Sequence, residues 1–458
     1  MSFRSVLVRQ SVTRTLFSMA LPMLAGTFAM NAYHLTDTWF VSRLGTRSLA
    51  AMGFTFPVIA LLTCVARGIG SGVTILVSHA IGRNDHADAS RLVTQGVALT
   101  LAVTAVLSIG GNFLIRPVFT LLGADEQTLP LVTDYMRPWY AGAVFMTLPM
   151  LGNGILISAG DSRAASGMMI VGTVVNVILD PIMIFGYLGC PAMGIRGAAL
   201  ATVIAQGIST VWLLYLLGPK HKLLRWRCGQ VGIGDSLKRI TRFAVPSILS
   251  MVLMPISSTV ITKILSRFGQ EVVAAVGAAG RMEMFAFMIP MALGISLTPF
   301  VSQNFGAGRL DRVRKAWKVV IRFALGYGAL ITVVFLWAAP ALAAIFTDDP
   351  KVAGPLVAYL RIVSFGYGMM EVHRYCGFFL TGLHRPISAT TLNAVRIVVF
   401  LIPLFYLGAY AGGIPGVFGG RLTTDFSVGL VGMRWVARVM KTTVAEKGTA
   451  GHIEFGGM

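Results

Sequence analysis

Asp37 stands in "NAYHLTDTWFV" (31–41), inside a run from Leu16 to Phe40 that is otherwise almost free of charge. A second aspartate, Asp180, lies in "TVVNVILDPIM" (173–183) four residues after Asn176, so the two share a helix face. Thr173 falls one turn earlier on about the same face. Pro181 follows Asp180 and cannot donate a backbone hydrogen bond, which frees a carbonyl one turn earlier. Thr202 and Gln206 in "AALATVIAQG" (198–207) are again four apart, and Asn153 in "LGNGIL" adds an amide. Carboxylates, amides and hydroxyls pointing into one helix bundle make an oxygen-rich site for a hard cation, Na+ at Asp37, Asp180 and Asn176, or for a proton. Two nearby carboxyls repel when both are ionised, so a pair that trades a proton at physiological pH can couple a gradient to a conformational change.

The elements that position these groups are membrane helices. Of the 458 residues 55% are hydrophobic and 12% charged, and the mean hydropathy is +0.75. A soluble chain carries roughly twice that charge fraction. Apolar runs of about 20 residues recur throughout, each long enough to cross a bilayer. They are continuous, not alternating, which excludes a β-barrel. The fold class is therefore an all-α polytopic membrane protein. Its twelve spans run roughly over 16–42, 49–79, 91–120, 130–157, 163–188, 194–218, 240–268, 273–304, 314–345, 352–382, 387–409 and 415–440.

The net charge of +20 sits mainly in short loops and termini. Arg4, Arg9, Arg14, Arg83, Arg91, the segment from Lys220 to Arg239 that includes Arg225 and Arg227, Arg309 to Lys315, and Arg434 to Lys441 fall on one side. The opposite loops, "GADEQT" and "TDDPK", are poor in basic residues. The bias places both termini in the cytoplasm and makes a nucleic-acid partner unnecessary. Cys64, Cys190, Cys228 and Cys376 show no CxxC spacing and read as small apolar residues. The first apolar run is too long for a signal-peptide core.

An internal repeat organises the chain. "LFSMALPMLAG…VSRLG" (16–45) lines up with "ITRFAVPSILS…LSRFG" (240–269) at a constant offset of 224, with Pro22 on Pro246 and Arg43 on Arg267. An offset of 222 then sets Gly160 on Gly382, Pro181 on Pro403 and Thr202 on Thr424. Six helices are thus duplicated in the same orientation, a parallel repeat of the kind found in transporters. The expected layout is an N-lobe over 1–217, a cytoplasmic linker over 218–239, a C-lobe over 240–441 and a tail over 442–458.

The halves differ where the chemistry lies. Asp37 faces Ile261 in the repeat, Asn176 faces Val398 and Asp180 faces Ile402. The scaffold accepts apolar residues there, yet the first half keeps polar ones at about 2.5–3.5 kcal/mol for a mid-helix Asp. A bland alternative pairs Asp37 and Asp180 with Arg67, Arg281, Arg374, Arg396 or Arg421. In the second half Glu283 is two residues from Arg281 and Glu371 three from Arg374, so local ion pairs compete with a role in a substrate cleft. Asp425 falls on Val203 at the 222 offset. His34 and His79 read as packing residues. Some methionines and phenylalanines suit a cleft for varied apolar cations. No GxxxxGK[ST] loop or HExxH is present, so neither ATP hydrolysis nor a metalloprotease activity is expected.

The segments "ALPMLAG…NAYHLTDTWFVSRLG", "VNVILDPIMIFG" and "GIRGAALATVIAQG" resemble the multidrug and toxic compound extrusion (MATE) family, and the resemblance extends to length, span number, repeat and basic linker. It implies two six-helix lobes around a V-shaped cleft, and antiport of cationic or amphipathic drugs against H+ or Na+ by alternating access. It also implies an N-lobe coupling site of Asp37, Asn153, Asn176, Asp180 and Thr202, a hinge at Pro22 with Pro181 as a second candidate, and a cleft to which Tyr33, Thr173, Gln206, Glu283 and Glu371 are assigned. In a second branch the coupling acids lie on helices 7 and 10; here helix 7 has no acid and Glu371 fits loosely. The expected protein is a monomer in the cell membrane, a bacterial inner membrane, with no cofactor besides the coupling ion. A lipid-linked oligosaccharide flippase, or a membrane-embedded enzyme or receptor, are the alternatives.

Overall fold

The computed structural model describes residues 6–225 and 232–453. Arg4, Arg227 and Cys228 lie outside them, as do the side chains of the tail beyond Thr442. Within a bilayer every backbone N–H and C=O must be satisfied internally, and continuous apolar segments achieve this only as helices. The first half is built from α1 (Val12–Ser42), α2 (Thr46–Gly82) and α3 (His86–Leu121). It continues with α4 (Leu129–Ala141 and, after a 55° bend, Ala143–Ser158), α5 (Ser162–Phe185) and α6 (Ile195–Tyr215). The second half holds α7 (Ile233–Leu265), α8 (Gln270–Ala286 and, after a 56° bend, Met288–Gly306) and α9 (Leu310–Phe346). Its α10 comprises Pro350–Val363 and Tyr367–Gly382 across one 3₁₀ turn.

The last stretch, from Pro386, reads as one long helical run but reverses at Gly412 and Gly413. Gly413 adopts φ 58°, ψ −138°, a conformation reserved for glycine. A β-carbon on Gly408 would lie 2.2 Å from the Gly416 carbonyl oxygen, and one on Gly420 2.3 Å from the Leu404 oxygen. Residues 404 and 420 are about 24 Å apart in a straight helix, so the chain must double back. We label residues 386–411 α11 and 414–453 α12. With this reversal and the two bent pairs each taken as one span, the described residues make twelve passes, as the hydropathy pattern predicts.

Most helices on the basic side start several residues before the apolar runs do, because polar first turns extend them. Asp85 caps α3 by accepting the Asp88 N–H at 2.9 Å. Helix α5 stops at Phe185, short of the expected 188, because Gly186 takes a left-handed C-cap (φ 79°). The bends at Gly142 and Phe287 had no signature in hydropathy.

The chain divides into two compact units between Ile248 and Leu249, inside α7. The first turns of α7 belong to the first unit: α2 offers Gly68 and Gly72, where a β-carbon would meet Ile248 at 2.2 Å and the Ile240 carbonyl at 3.0 Å. Asp88 receives Arg83, Arg91 and, from α7, Arg239 at 2.6–3.2 Å. The linker start is also docked here, with Ser90 donating to the Leu223 carbonyl at 2.9 Å. Residues 10–16, which include the start of α1, group with the second unit.

The backbone refines the repeat. Gly194 before α6 (φ 56°, ψ −134°) and Gly413 before α12 (φ 58°, ψ −138°) are the same conformation. "GIRG" at 194 and "GIPG" at 413 then register at an offset of 219. The offset of 222 fails past this turn, because the α5–α6 connection is longer than the α11–α12 reversal. Thr202 therefore corresponds to Arg421, not Thr424, and Gln206, not Val203, corresponds to Asp425.

Candidate functional site

In the first unit, α1, α5 and α6 bring one polar cluster together. Asn176 donates through Nδ2 to Asp180 Oδ1 at 3.3 Å and to Thr202 Oγ1 at 3.2 Å. Thr202 donates its own proton to the Ala198 carbonyl at 3.1 Å, so the Tyr33 hydroxyl, 3.2 Å from Thr202 Oγ1, is the donor in that pair. Helical spacing explains the set: Asn176 and Asp180 share a face of α5, and Thr202 leaves α6 opposite them. Asp37 and Asp180 are buried and lie within electrostatic reach of each other. Three oxygens, Asp37 Oδ1, Asp180 Oδ2 and Asn176 Oδ1, are buried without a hydrogen-bond partner.

Among the described residues no arginine or lysine forms an ion pair with Asp37 or Asp180. Arg67 and Arg281 are exposed, and Arg374, Arg396 and Arg421 serve second-unit acids. The pairing alternative is thereby removed for this conformation. Among the described residues no three His, Cys, Asp or Glu side chains gather around a point that could hold a metal ion; a cation here would need the Asn176 amide oxygen as well as the two carboxylates.

Other expected members lie elsewhere or on the margin. Asn153 donates to the Ala165 carbonyl at 3.3 Å. Ala165 precedes Asn176 by eleven residues, about 16 Å along α5, so Asn153 is outside the carboxylate cluster. Gln206 faces Gly172 one turn before Asn176, and Thr173 is half-buried beside it. Pro22 and Pro181 lie within helices that run on past them; Ser166 of α5 donates to the Pro22 carbonyl. His34 is exposed and its ring sits 4.8 Å from that of Tyr33. Sequence reasoning missed Tyr135 on α4, which lies within electrostatic reach of both Asp37 and Asp180.

The second unit carries a different cluster. Glu283 on α8 accepts from Tyr359 and Tyr367 of α10, both at 2.9 Å, and from Arg421 of α12 at 3.0 Å. Arg421 also donates to the Tyr359 hydroxyl. The Glu283–Arg281 pair, one of the two alternatives for Glu283, does not form, because residues two apart on a helix point to different sides. The Glu371–Arg374 pair does form, at 3.0 Å. Asp425 lies 3.6 Å from Arg396 of α11 and 3.8 Å from Arg421. Tyr359 corresponds to Tyr135 at the 224 offset, so both units place a tyrosine of the fourth or tenth helix beside their acids.

Comparisons with known proteins agree with this architecture. The family described as MatE matches residues 22–182 and 246–407, one match in each half. A FAD transporter of Shewanella oneidensis is 34% identical over 450 residues, covering 97% of this chain and all of that protein. A probable multidrug resistance protein of Bacillus subtilis, YoeA, is 28% identical over 74% of this chain and 75% of its own. The crystal structure of the Vibrio cholerae MATE transporter VcmN in its bent form superposes with a TM-score of 0.91 at 29% identity, covering 94% of this chain and 98% of that one.

Proposed function

Since the chain belongs to the MatE family of multi-pass membrane transporters, we propose that it is a secondary antiporter whose coupling ion binds at Asp37 and Asp180. One observation carries this reading: these are buried membrane carboxyls without a cationic partner, whereas Glu283, Glu371 and Asp425 are all set against arginines. Two ionised carboxylates in that setting lack a counter-charge, and a shared proton supplies it with no further ligands. Na+ would recruit the unbonded oxygens of Asp37, Asp180 and Asn176. We take H+ as the coupling ion, the cell membrane as the location and the cytoplasm as the side of both termini.

In this cycle the ion enters from outside, joins Asp37 and Asp180, and changes the Asn176–Thr202–Tyr33 hydrogen bonds. Release toward the cytoplasm resets the pump. Antiport requires only that ion and substrate favour different states. For the substrate, the multidrug relatives support cationic or amphipathic compounds. The 34% relative named as a FAD transporter supports a second reading, a flavin nucleotide.

The test is transport in proteoliposomes with an imposed pH or Na+ gradient. The native chain should drive a cationic dye or a flavin under the pH gradient. Asp37→Asn and Asp180→Asn should each reduce gradient-driven transport about 10-fold or more. Equal pumping by native and variant chains refutes the coupling assignment. Failure of both gradients to drive any compound favours a flippase.

A further inference from the structure

We propose that Arg67, with His34 beside it, is the place in the first unit where the negative charge of an anionic substrate binds, the phosphate of a flavin nucleotide being the fitting case. The inference rests on the antiport reading above; it takes up the second of its two substrates and names the residues that read it.

Arg67 is deep in the membrane. It lies 21 residues after the start of α2 and 15 before its end, about 31 and 22 Å along the helix, too far for the side chain to snorkel to either surface. A guanidinium stays charged at any physiological pH. Yet among the described residues Arg67 makes no hydrogen bond and no ion pair. Its neighbours by charge are His34 and Cys64, and neither Asp37 nor Asp180 is among them. Arg374, Arg396 and Arg421 of the second unit, by contrast, each face an acid.

The packing of α2 shows what Arg67 faces. One side of α2 meets the first turns of α7 through Gly68 and Gly72, where a β-carbon would run into Ile248 and the Ile240 carbonyl. A second side meets α3, since a β-carbon on Gly96 would run into Val73. A third meets α4, since one on Gly154 would run into Thr74. At 3.6 residues per turn, Cys64, Arg67 and Ser71 share the remaining sector, between α4 and α7. Helix α1 approaches there: His34 lies within electrostatic reach of Arg67. Both side chains are exposed, so the space between them is open. An arginine exposed at that depth meets water or solute, not lipid.

The repeat shows that the scaffold does not need this charge. At the 224 offset Arg67 falls on Met291 and His34 on Ser258. As with Asp37 and Asp180, a costly group is confined to the first unit. An uncompensated guanidinium repels a cationic substrate and attracts an anionic one, and its planar fork fits two phosphate oxygens at once. His34 adds a ring N–H to the same space.

Riboflavin and FMN share a ring system and differ by one phosphate. Gradient-driven uptake of both, and of a cationic dye, is measured in proteoliposomes for the native chain, Arg67→Met and Arg67→Lys. Methionine is what the second unit carries at this register, so the variant should fold. Quenching of flavin fluorescence gives the Kd of the same proteins in detergent. In Arg67→Met, KM and Kd for FMN should rise about tenfold or more, with riboflavin and dye within about twofold of native. Arg67→Lys keeps the charge but loses the fork and should fall between. Unchanged FMN binding and transport in Arg67→Met overturns the proposal. So does an equal loss of riboflavin and FMN from folded protein, which would make Arg67 a structural group. A native chain that moves the dye but neither moves nor binds a flavin overturns it too, and leaves antiport standing. If no compound moves under any gradient, the antiport reading fails, and the Kd ratio alone decides whether Arg67 reads the phosphate.

Discussion

At the scale of single residues, the acids of this protein divide by what neutralises them. Asp161, at the α5 start, shows the paired case outside the membrane. It accepts from Lys220 at 2.7 Å, from His221 at 3.1 Å and from the Ala164 N–H at 3.0 Å. Partial burial pushes its carboxyl up, but these partners outweigh it and hold the group below the usual carboxylate range. A depressed native value contributes stability above the unfolded value of about 3.9, and that contribution is lost as pH falls through the native one. Lys220 is half exposed, so the pair is worth only about 0.2–1 kcal/mol. Asp161→Asn keeps a capping oxygen and removes the charge. The native chain should therefore lose more thermal stability than this variant between about pH 5 and 3, measured by melting in detergent. Asp37, Asn176, Asp180 and Thr202 were legible as polar groups in apolar runs, and the four-residue spacing of Asn176 and Asp180 set those two on one face. Tyr135 and Tyr359 were not, because a tyrosine in such a run is ordinary, although the 224 offset that pairs them was there to be read.

At the scale of elements, hydropathy located the spans, and the repeat located their partners. What it could not locate were deviations of the backbone: the bends at Gly142 and Phe287, the widened turn at Arg396 and the tight reversal at Gly412–Gly413. These depend on packing between helices, to which a one-dimensional pattern is blind. Two adjacent glycines at the reversal separate the causes. Gly413 holds a conformation that a side chain strains at about 1–3 kcal/mol. Gly412 has φ −143° and nothing within 4 Å of an added β-carbon. Gly413→Ala should lower the melting temperature by about 1–3 °C, and Gly412→Ala should leave it nearly unchanged. In the first half a Gly197 β-carbon would lie 2.4 Å from the Met183 carbonyl. Gly197→Val should accordingly cost about 1–3 kcal/mol by separating α5 from α6, read in the same melting assay.

At the scale of the whole molecule, duplication supplied two similar six-helix frames, and divergence gave them unlike interiors. The first interior keeps carboxyls with no cation; the second keeps three arginines with three acids. The acidic interior was legible because the second half offers an apolar control at each position. The mixed interior was only partly legible, because the register slips by three residues at the α11–α12 reversal and hid the match of Arg421 to Thr202.

The division inside α7 carries a mechanical corollary. The connection between the halves is not just the peptide chain of the linker, since the opening turns of α7 are seated against Gly68 and Gly72 and tied by Arg239 to Asp88. A protease site engineered between residues 225 and 232 should therefore cut the polypeptide without freeing its pieces, which should co-purify as a nicked complex. Adding Arg239→Ala together with Gly72→Leu should weaken the nicked complex, so that less of it survives purification.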